Sequence, residues 1–374
     1  MLTASHRHTT VAKPVRQTGL HEIGELAVPI SDVAKCAGVS RTTVSHVLSG
    51  KRPVSKAVTE RVQRAMRELG YVPSRAAQSL ASGTTHTLGL LVPDLRNGFF
   101  AELVLGAEHA AIERGFNVLL CSTGWNLERE LFYLDTLRSR AVDGVIYASG
   151  VPDHESQLAE HLADLPSVAV DEDLGALPIA TVVSNNRAGG RLVAEHLAGL
   201  GHTRAVVVGA NKRLASSAER AAGFKAMWKS STGQQARILP GSFEEQCGYS
   251  AAGELIDAVR GGEVTSVFAL NDLIALGILR RFREEGITVP RDCSVVGFDD
   301  IAIARHTTPG LTTVRQDPFV MGSLAVKTLL DHLLNGGVSQ PERQVLPVEF
   351  VERESTAPPA RREAHQWQLS TSST

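Results

Sequence analysis

ISDVAKCAGVSRTTVSHVLSG, residues 30–50, sets two short amphipathic segments on either side of a tight turn. Val33, Ala34 and Ala37 share one side of the first segment, with Ser31 placed to cap it and Gly38 able to take the left-handed backbone that leaves it sharply. Val39 is the apolar pivot. Ser40 then caps a second helix in which Val44, Val47 and Leu48 recur at helical spacing, leaving Arg41, Thr42, Thr43, Ser45 and His46 on the other face. The pattern predicts a helix-turn-helix whose second helix enters a DNA major groove by its N-terminal end. There an Arg grips guanine through two hydrogen bonds and a Thr methyl meets thymine. Arg41, Thr42 and His46 are the candidate base readers, with Thr43 and Ser45 on the same DNA-binding surface.

Charge separates this reading from that of any capped amphipathic pair. Residues 1–83 carry 12 Lys and Arg against 5 Asp and Glu, whereas the rest of the chain carries 26 against 35. A net charge of −2 therefore hides a basic head on an acidic body, and phosphate neutralisation by the head implies binding that weakens steeply with salt. Further out, residues 51–83 supply a third amphipathic helix and then SRAAQSLASG, a small-residue helix ending at Leu80. Ser74 follows Pro73 as its cap, Ala76 and Ala77 allow close approach, and Leu80 presents an apolar tip on the face of Ala77. A helix this short is marginal without a partner, so it is expected to be disordered when free.

DVAKCAGVSRTTVSHVLSG, then VS, then ELGYVPSRAAQSLASG resembles, in order and spacing, the headpiece and hinge of the LacI/GalR family of bacterial transcription regulators, and the similarity continues to about Arg353. The shared TTVSHV makes the recognition helix purine-repressor-like. The resemblance implies that hinge helices of two subunits enter the minor groove, with Leu80 as the wedge that opens a base step and Ala77 as a contacting residue. Unstacking costs a few kcal/mol, offset by contacts that bent DNA permits.

From Thr87 onward, short apolar runs alternate with helical patterns: TLGLLVPD, NVLLCST, VDGVIYAS, PSVAVDE, TRAVVVGA, QARILPG, TSVFALND and CSVVGFDD. Continuous runs suit strands buried on both faces, and repeated strand-helix units make parallel sheets covered by helices. LTTVRQD and VLPVEFVE read as strands returning late to complete two lobes. The resemblance implies an α/β two-lobed core of the type I periplasmic-binding-protein kind, two parallel-sheet Rossmann-like subdomains linked by three crossings, behind an all-α helix-turn-helix headpiece. The expected divisions are an extension over 1–28, the headpiece over 29–72, the hinge over 73–85 and the core over 86–354. Within the core, the N-lobe takes 86–184 and 316–344 and the C-lobe 185–315 and 345–354. A tail rich in Pro, Ser, Thr and Gln over 355–374 reads as disordered.

Ligands of such sheets lie beyond the carboxyl ends of the strands. Asp171, Asn271 and Asp299 end strand-like runs there, and Arg220 opens a helix after VVVGA. The resemblance assigns Arg220, Asn271 and Asp299 to effector binding, Phe99 and Phe100 to the pocket wall, and Asp171, Ser184 and Gln316 to pocket-facing positions. Other readings stand beside these: Asp272 caps the following helix, Phe100 is plain core, and Asp299 with Asp300 forms only an acidic turn. An enzyme is not expected, because no Gly-x-Ser-x-Gly, Walker loop or His-Glu-x-x-His occurs. No cofactor or metal is expected either. Cys36, Cys121, Cys247 and Cys293 lack metal spacing and read as reduced core thiols. With no signal-peptide core and no 18-residue apolar span, the chain is expected in the bacterial cytoplasm, on the nucleoid when bound, and away from membranes. Its expected partners are operator DNA, a sugar or sugar-derivative effector and a second copy of itself. A corepressor such as a purine is the alternative, and an exported solute-binding protein or a sugar-processing enzyme are rivals from other classes.

Overall fold

The computed structural model describes residues 28–50, 52–72, 83–148, 155–175, 177–334 and 342–360. The chain divides after Gly83 into two compact units. In the first, α1 (Ile30–Ala37), α2 (Arg41–Ser49) and α3 (Lys56–Leu69) close over a core of Val33, Ala34, Ala37, Val44, Val62 and Ala65. Gly38 takes a left-handed conformation (φ 62°), and its N–H bonds back to the end of α1. Ser31 does not cap that helix. The helix starts at Ile30, two residues earlier than a Ser31 cap implies, behind Pro29, which has no side-chain oxygen to offer. Residues 1–27 lie outside the described residues.

The second unit has two lobes. In the N-lobe, β1 (Thr87–Val92), β2 (Asn117–Ser122), β3 (Gly144–Tyr147), β4 (Ser167–Val170) and β5 (Ala180–Ser184) form a parallel sheet. It is completed by a late strand at Arg343–Leu346, next to β5. Helices Gly98–Glu113 (α4), Leu127–Thr136 (α5) and Glu155–Leu162 (α6) connect its strands. In the C-lobe, α7 (Asn186–Gly199) leads to β6 (Ala205–Ala210), α8 (Ala215–Thr232), β7 (Arg237–Pro240), α9 (Glu245–Gly261), β8 (Ser266–Ala269), α10 (Asp272–Glu284) and β9 (Ser294–Val296). Its sheet runs β7-β6-β8-β9, all parallel. β10 (Thr313–Arg315) precedes α11 (Pro318–Leu334), which returns to the N-lobe; β11 (Arg343–Leu346) is its last strand, and β12 (Glu349–Val351) pairs antiparallel with β10.

VLPVEFVE is thus two strands, not one. Pro347 has no N–H to donate, so the ladder with β5 ends at Leu346 and the chain crosses before β12. The expected change of lobe between residues 344 and 345 falls inside β11 and is corrected to the Pro347 crossing. A second correction concerns the tail. Ser355 is fully buried, its hydroxyl donating to the Val295 carbonyl (2.6 Å) and accepting from the Thr312 N–H (2.8 Å). Ala357 N–H donates to Ser294 Oγ at 3.1 Å, so residues 355–360 belong to the C-lobe; 361–374 lie outside the described residues.

Paired helices meet at reciprocal glycines. A Cβ on Gly190 of α7 would stand 2.0 Å from the Arg220 carbonyl oxygen of α8, and one on Gly223 of α8 would stand 2.1 Å from that of Arg187. Gly106 with Gly322 joins α4 to α11 in the same manner, as Gly248 with Gly277 joins α9 to α10. Backbones can approach this closely only where the side chain is a hydrogen, and the α7–α8 contact fixes where Arg220 begins.

Candidate functional site

The recognition helix is held by its cap. Ser40 Oγ accepts from the Thr43 N–H at 3.1 Å and lies 2.8 Å from Thr43 Oγ1. Arg41 and Thr42 are exposed, Ser45 and His46 half-buried. Thr43, placed with the readers by sequence, is half-buried and has its hydroxyl turned back on the cap. The first turn of α2 carries no acidic residue, so its unpaired N–H groups keep a positive end suited to phosphate. Ala77 and Leu80 lie outside the described residues. Cys36, expected as a core thiol, is exposed with Sγ 3.7 Å from Glu68 Oε2, and Cys247 is only half-buried.

Between the lobes of the second unit lies a buried polar cluster centred on Arg220. Its Nε donates to Asn186 Oδ1 (2.8 Å), and its Nη1 to the Leu270 carbonyl (2.7 Å) and Asp299 Oδ1 (3.4 Å). The guanidinium carbon stands 3.9 Å from the centre of the Phe298 ring, a desolvated cation–π contact. Gln316, where the chain leaves the C-lobe after β10, donates from Nε2 to the same Asp299 oxygen at 2.7 Å. Asp171 directly follows β4 on the N-lobe side. Asp171 and Asp299 are non-glycine residues at φ 71° and 116°, local strain of the kind that aims side chains at functional sites. Burial pushes the Asp171 carboxyl up to about 7, opposed by Arg220 and reinforced by Asp299. Burial likewise pushes Asp299 up to about 6 against the pull of Arg220 and Gln316.

Sequence reasoning missed three members of the cluster. Glu172, next to Asp171, reaches across the lobes to the first turn of α8, accepting from both Ser216 Oγ and Ser216 N–H, the latter at 3.2 Å. Burial and the neighbouring Asp171 push it up to about 7. Asn186 and Ser216 are the others. The second acidic residue after SVAV was the one available signal, since a carboxylate at a buried strand end needs a partner.

The remaining sequence candidates are placed differently. Ser184 is buried with its hydroxyl on Met321 Sδ (3.5 Å), part of the N-lobe core. Phe99 and Phe100 are both in that core, ring centres 5.1 Å apart, but Phe100 also lines a cavity of about 410 Å³ at the cleft mouth with Trp125, Phe243 and Glu244. Both readings of Phe100 therefore apply. Arg220 sits in the second turn of α8 instead of opening it, the helix having begun at Ala215. Asn271, not Asp272, caps α10: its Oδ1 accepts from the Ile274 N–H (2.9 Å) while Nδ2 donates to the Phe243 carbonyl (3.0 Å). Asp272 is fully buried and accepts from Ile301 N–H (2.9 Å) and Thr313 Oγ1 (2.6 Å), holding the Asp299 loop against α10. Asp300 is more than an acidic turn, since Arg315 Nε donates to it at 2.8 Å and Arg353 also pairs with it.

Two family descriptions match the chain: bacterial regulatory proteins, lacI family, over residues 29–74, and a periplasmic binding protein-like domain over residues 194–356. The chain is similar to the HTH-type transcriptional repressor PurR of Vibrio atlanticus (strain LGP32), with 34% identity over 327 residues that span 87% of this chain and 97% of the relative. Among solved structures it is similar to the lac repressor dimer bound to operator and the anti-inducer ONPF, with TM-score 0.77 and 29% identity over 88% of this chain and 99% of that one. It is also similar to a complex of the transcriptional regulator CelR with cellobiose, with TM-score 0.66 and 32% identity over 88% and 99% of the two chains. The likeness runs through both units and takes in nearly the whole of each relative, so the chain belongs to the LacI family of DNA-binding, ligand-responsive bacterial regulators.

Proposed function

We propose that the chain is a transcriptional repressor that binds a pseudo-palindromic operator as a twofold dimer and is released when a sugar or sugar derivative enters the cleft between its lobes. The observation that carries this is the cluster of Arg220, Asp299, Gln316 and Asp171, buried polar groups gathered where the two lobes meet. Two recognition helices related by a twofold axis suit equivalent half-sites. Arg41, Thr42, Ser45 and His46 face bases, with Ala77 and Leu80 acting in the minor groove. Effector held by Arg220, Asp299, Gln316 and Asp171 changes the lobe angle, and the change reaches DNA through residues 73–83.

The cleft binds without turnover. Two of its carboxylates are engaged, Asp299 by Arg220 and Gln316 and Glu172 by Ser216, which supports binding over acid–base chemistry at those groups. The chain works in the cytoplasm and gathers on the nucleoid when bound to its operator. Phe100, Trp125 and Phe243 at the mouth, together with the PurR relative, support a second reading in which a planar corepressor such as a purine uses the same parts with opposite sign. Titrating effector in the absence and presence of saturating operator tests the scheme and reads the sign. Coupling of about 1–3 kcal/mol shifts effector affinity by roughly 5- to 150-fold. An unchanged affinity refutes it.

A further inference from the structure

The interlobe cleft holds more acceptors than donors. Asp171, Glu172, Asp272 and Asp299 are all buried there, and the guanidinium among them, Arg220, already serves Asn186, Leu270 and Asp299. Gln316 is 4% exposed and its orientation is fixed, because the flipped amide would set Oε1 against the Asp299 carboxylate. Its Oε1 is therefore an acceptor, and it is buried without a partner, as is Asp171 Oδ1. An unsatisfied buried polar atom costs about 1–3 kcal/mol, so two in one cleft select for a ligand that brings donors.

Charge points the same way. Four buried carboxyl groups, Asp171, Glu172, Asp272 and Asp299, stand about the single Arg220 guanidinium, and because burial is what raises Asp171, Glu172 and Asp299, a cation brought in by a ligand would favour their ionised forms. Among the described residues no three His, Cys, Asp or Glu side chains are arranged to hold a metal ion. An ammonium on an organic ligand would bring positive charge and hydrogen-bond donors to these groups together.

Resting on the reading of this cleft as the effector site, we propose that the effector is a polyhydroxy compound bearing a protonated amine. Its ammonium donates to Asp171 Oδ1, its remaining donors satisfy Gln316 Oε1, and phosphate or carboxylate analogues are refused. Glu172, tied to Ser216, adds negative charge beside the ammonium without having to touch it. The groups facing the ammonium are Asp171, Glu172, Asp299 and Arg220, with Asp272 behind Asp299 and the Asp173–Arg343–Glu219 ion pairs at the rim. Binding of a cation favours the ionised carboxylates, so it releases protons near pH 7 and weakens as the solution is acidified toward pH 5.5.

The test uses the full chain and three matched sets of probes: glucosamine, galactosamine and mannosamine, the parent hexoses, and the hexose 6-phosphates, measured by thermal shift and calorimetry at pH 7.0 and 5.5. The expected result is one amino sugar binding at least tenfold tighter than its parent at pH 7.0, no binding of its phosphate, and a preference that falls below threefold in both Asp171→Asn and Glu172→Gln. A parent hexose or a phosphate that binds as tightly as the amine overturns the proposal, as does failure of all three amino sugars at 10 mM, or an amine preference that survives both substitutions. Anisotropy of a fluorescent duplex at low salt in the same samples keeps the outcomes apart. DNA binding without an amine preference sinks only the amine, whereas loss of DNA binding sinks the regulator.

Discussion

Replacing Arg220 by Met keeps an unbranched side chain over the Phe298 ring while removing the guanidinium from among Asp299, Asp171 and Glu172. Breaking a buried pair by deleting one partner costs about 3–5 kcal/mol, because a charge is left buried and uncompensated. The loss has two parts with different pH dependence. Leu270 O and Asn186 Oδ1 lose their donor at every pH, about 2 kcal/mol together at the lower end of about 1–3 kcal/mol for each stranded acceptor. The charge part depends on Asp299, which sits at about 6 in the folded protein against an ordinary value of 3.8. A carboxyl raised by folding binds its proton more tightly in the native state, so its contribution is intact at low pH and is lost as pH rises through the interval from about 4 to 6. Asp171 and Glu172, at about 7, extend that interval upward, and without Arg220 all three rise further. The variant should therefore lose about 3–5 kcal/mol at pH 7.5 but only about 2 at pH 5, where the stranded carboxylates are neutral. Urea unfolding of the full chain, followed by Trp fluorescence at the two pH values, measures both numbers. An equal loss at each would show that Arg220 acts through its packing and hydrogen bonds alone, and would refute the charge argument.

Gly190→Ala places a methyl 2.0 Å from the Arg220 carbonyl, a backbone atom that cannot turn away, so α7 and α8 must part at a cost of about 3 kcal/mol. A thermal unfolding shift equivalent to less than about 1 kcal/mol would contradict the close helix contact. Arg41→Ala should relax preference at a single base pair by about 1–3 kcal/mol, measured by competition among operator variants. A uniform loss across all sequences, with a shallower salt dependence, would make Arg41 a phosphate contact instead.

How far the sequence speaks depends on whether the determining contacts are local. The headpiece turn is legible because Ser40, Gly38 and the Val44 spacing act within a few residues, and the parallel strands are legible because burial on both faces leaves continuous apolar runs. Asp171, Arg220, Asp299 and Gln316 follow from the rule that ligands sit beyond strand ends, combined with family resemblance. Glu172, Asn186 and Ser216 escape, since each has its partner 34 or 44 residues away, and the Glu172–Ser216 pair joins opposite lobes; no spacing rule reaches across a fold. The exchange of roles between Asn271 and Asp272 turns on one residue of register: β8 ends at Ala269, which leaves Asn271 extended at the cap and sends Asp272 inward to Ile301 and Thr313. Pro347 inside VLPVEFVE was a readable break, because a proline cannot continue a ladder. The error over residues 355–360 has another origin. Composition reports whether a segment can bury a core of its own, and this one cannot. It is ordered by what a larger body lends it: the Val295 carbonyl and the Ser294 hydroxyl bind this strap of chain. Order of that kind is a property of the receiving surface, and it becomes visible only when the surface has been built.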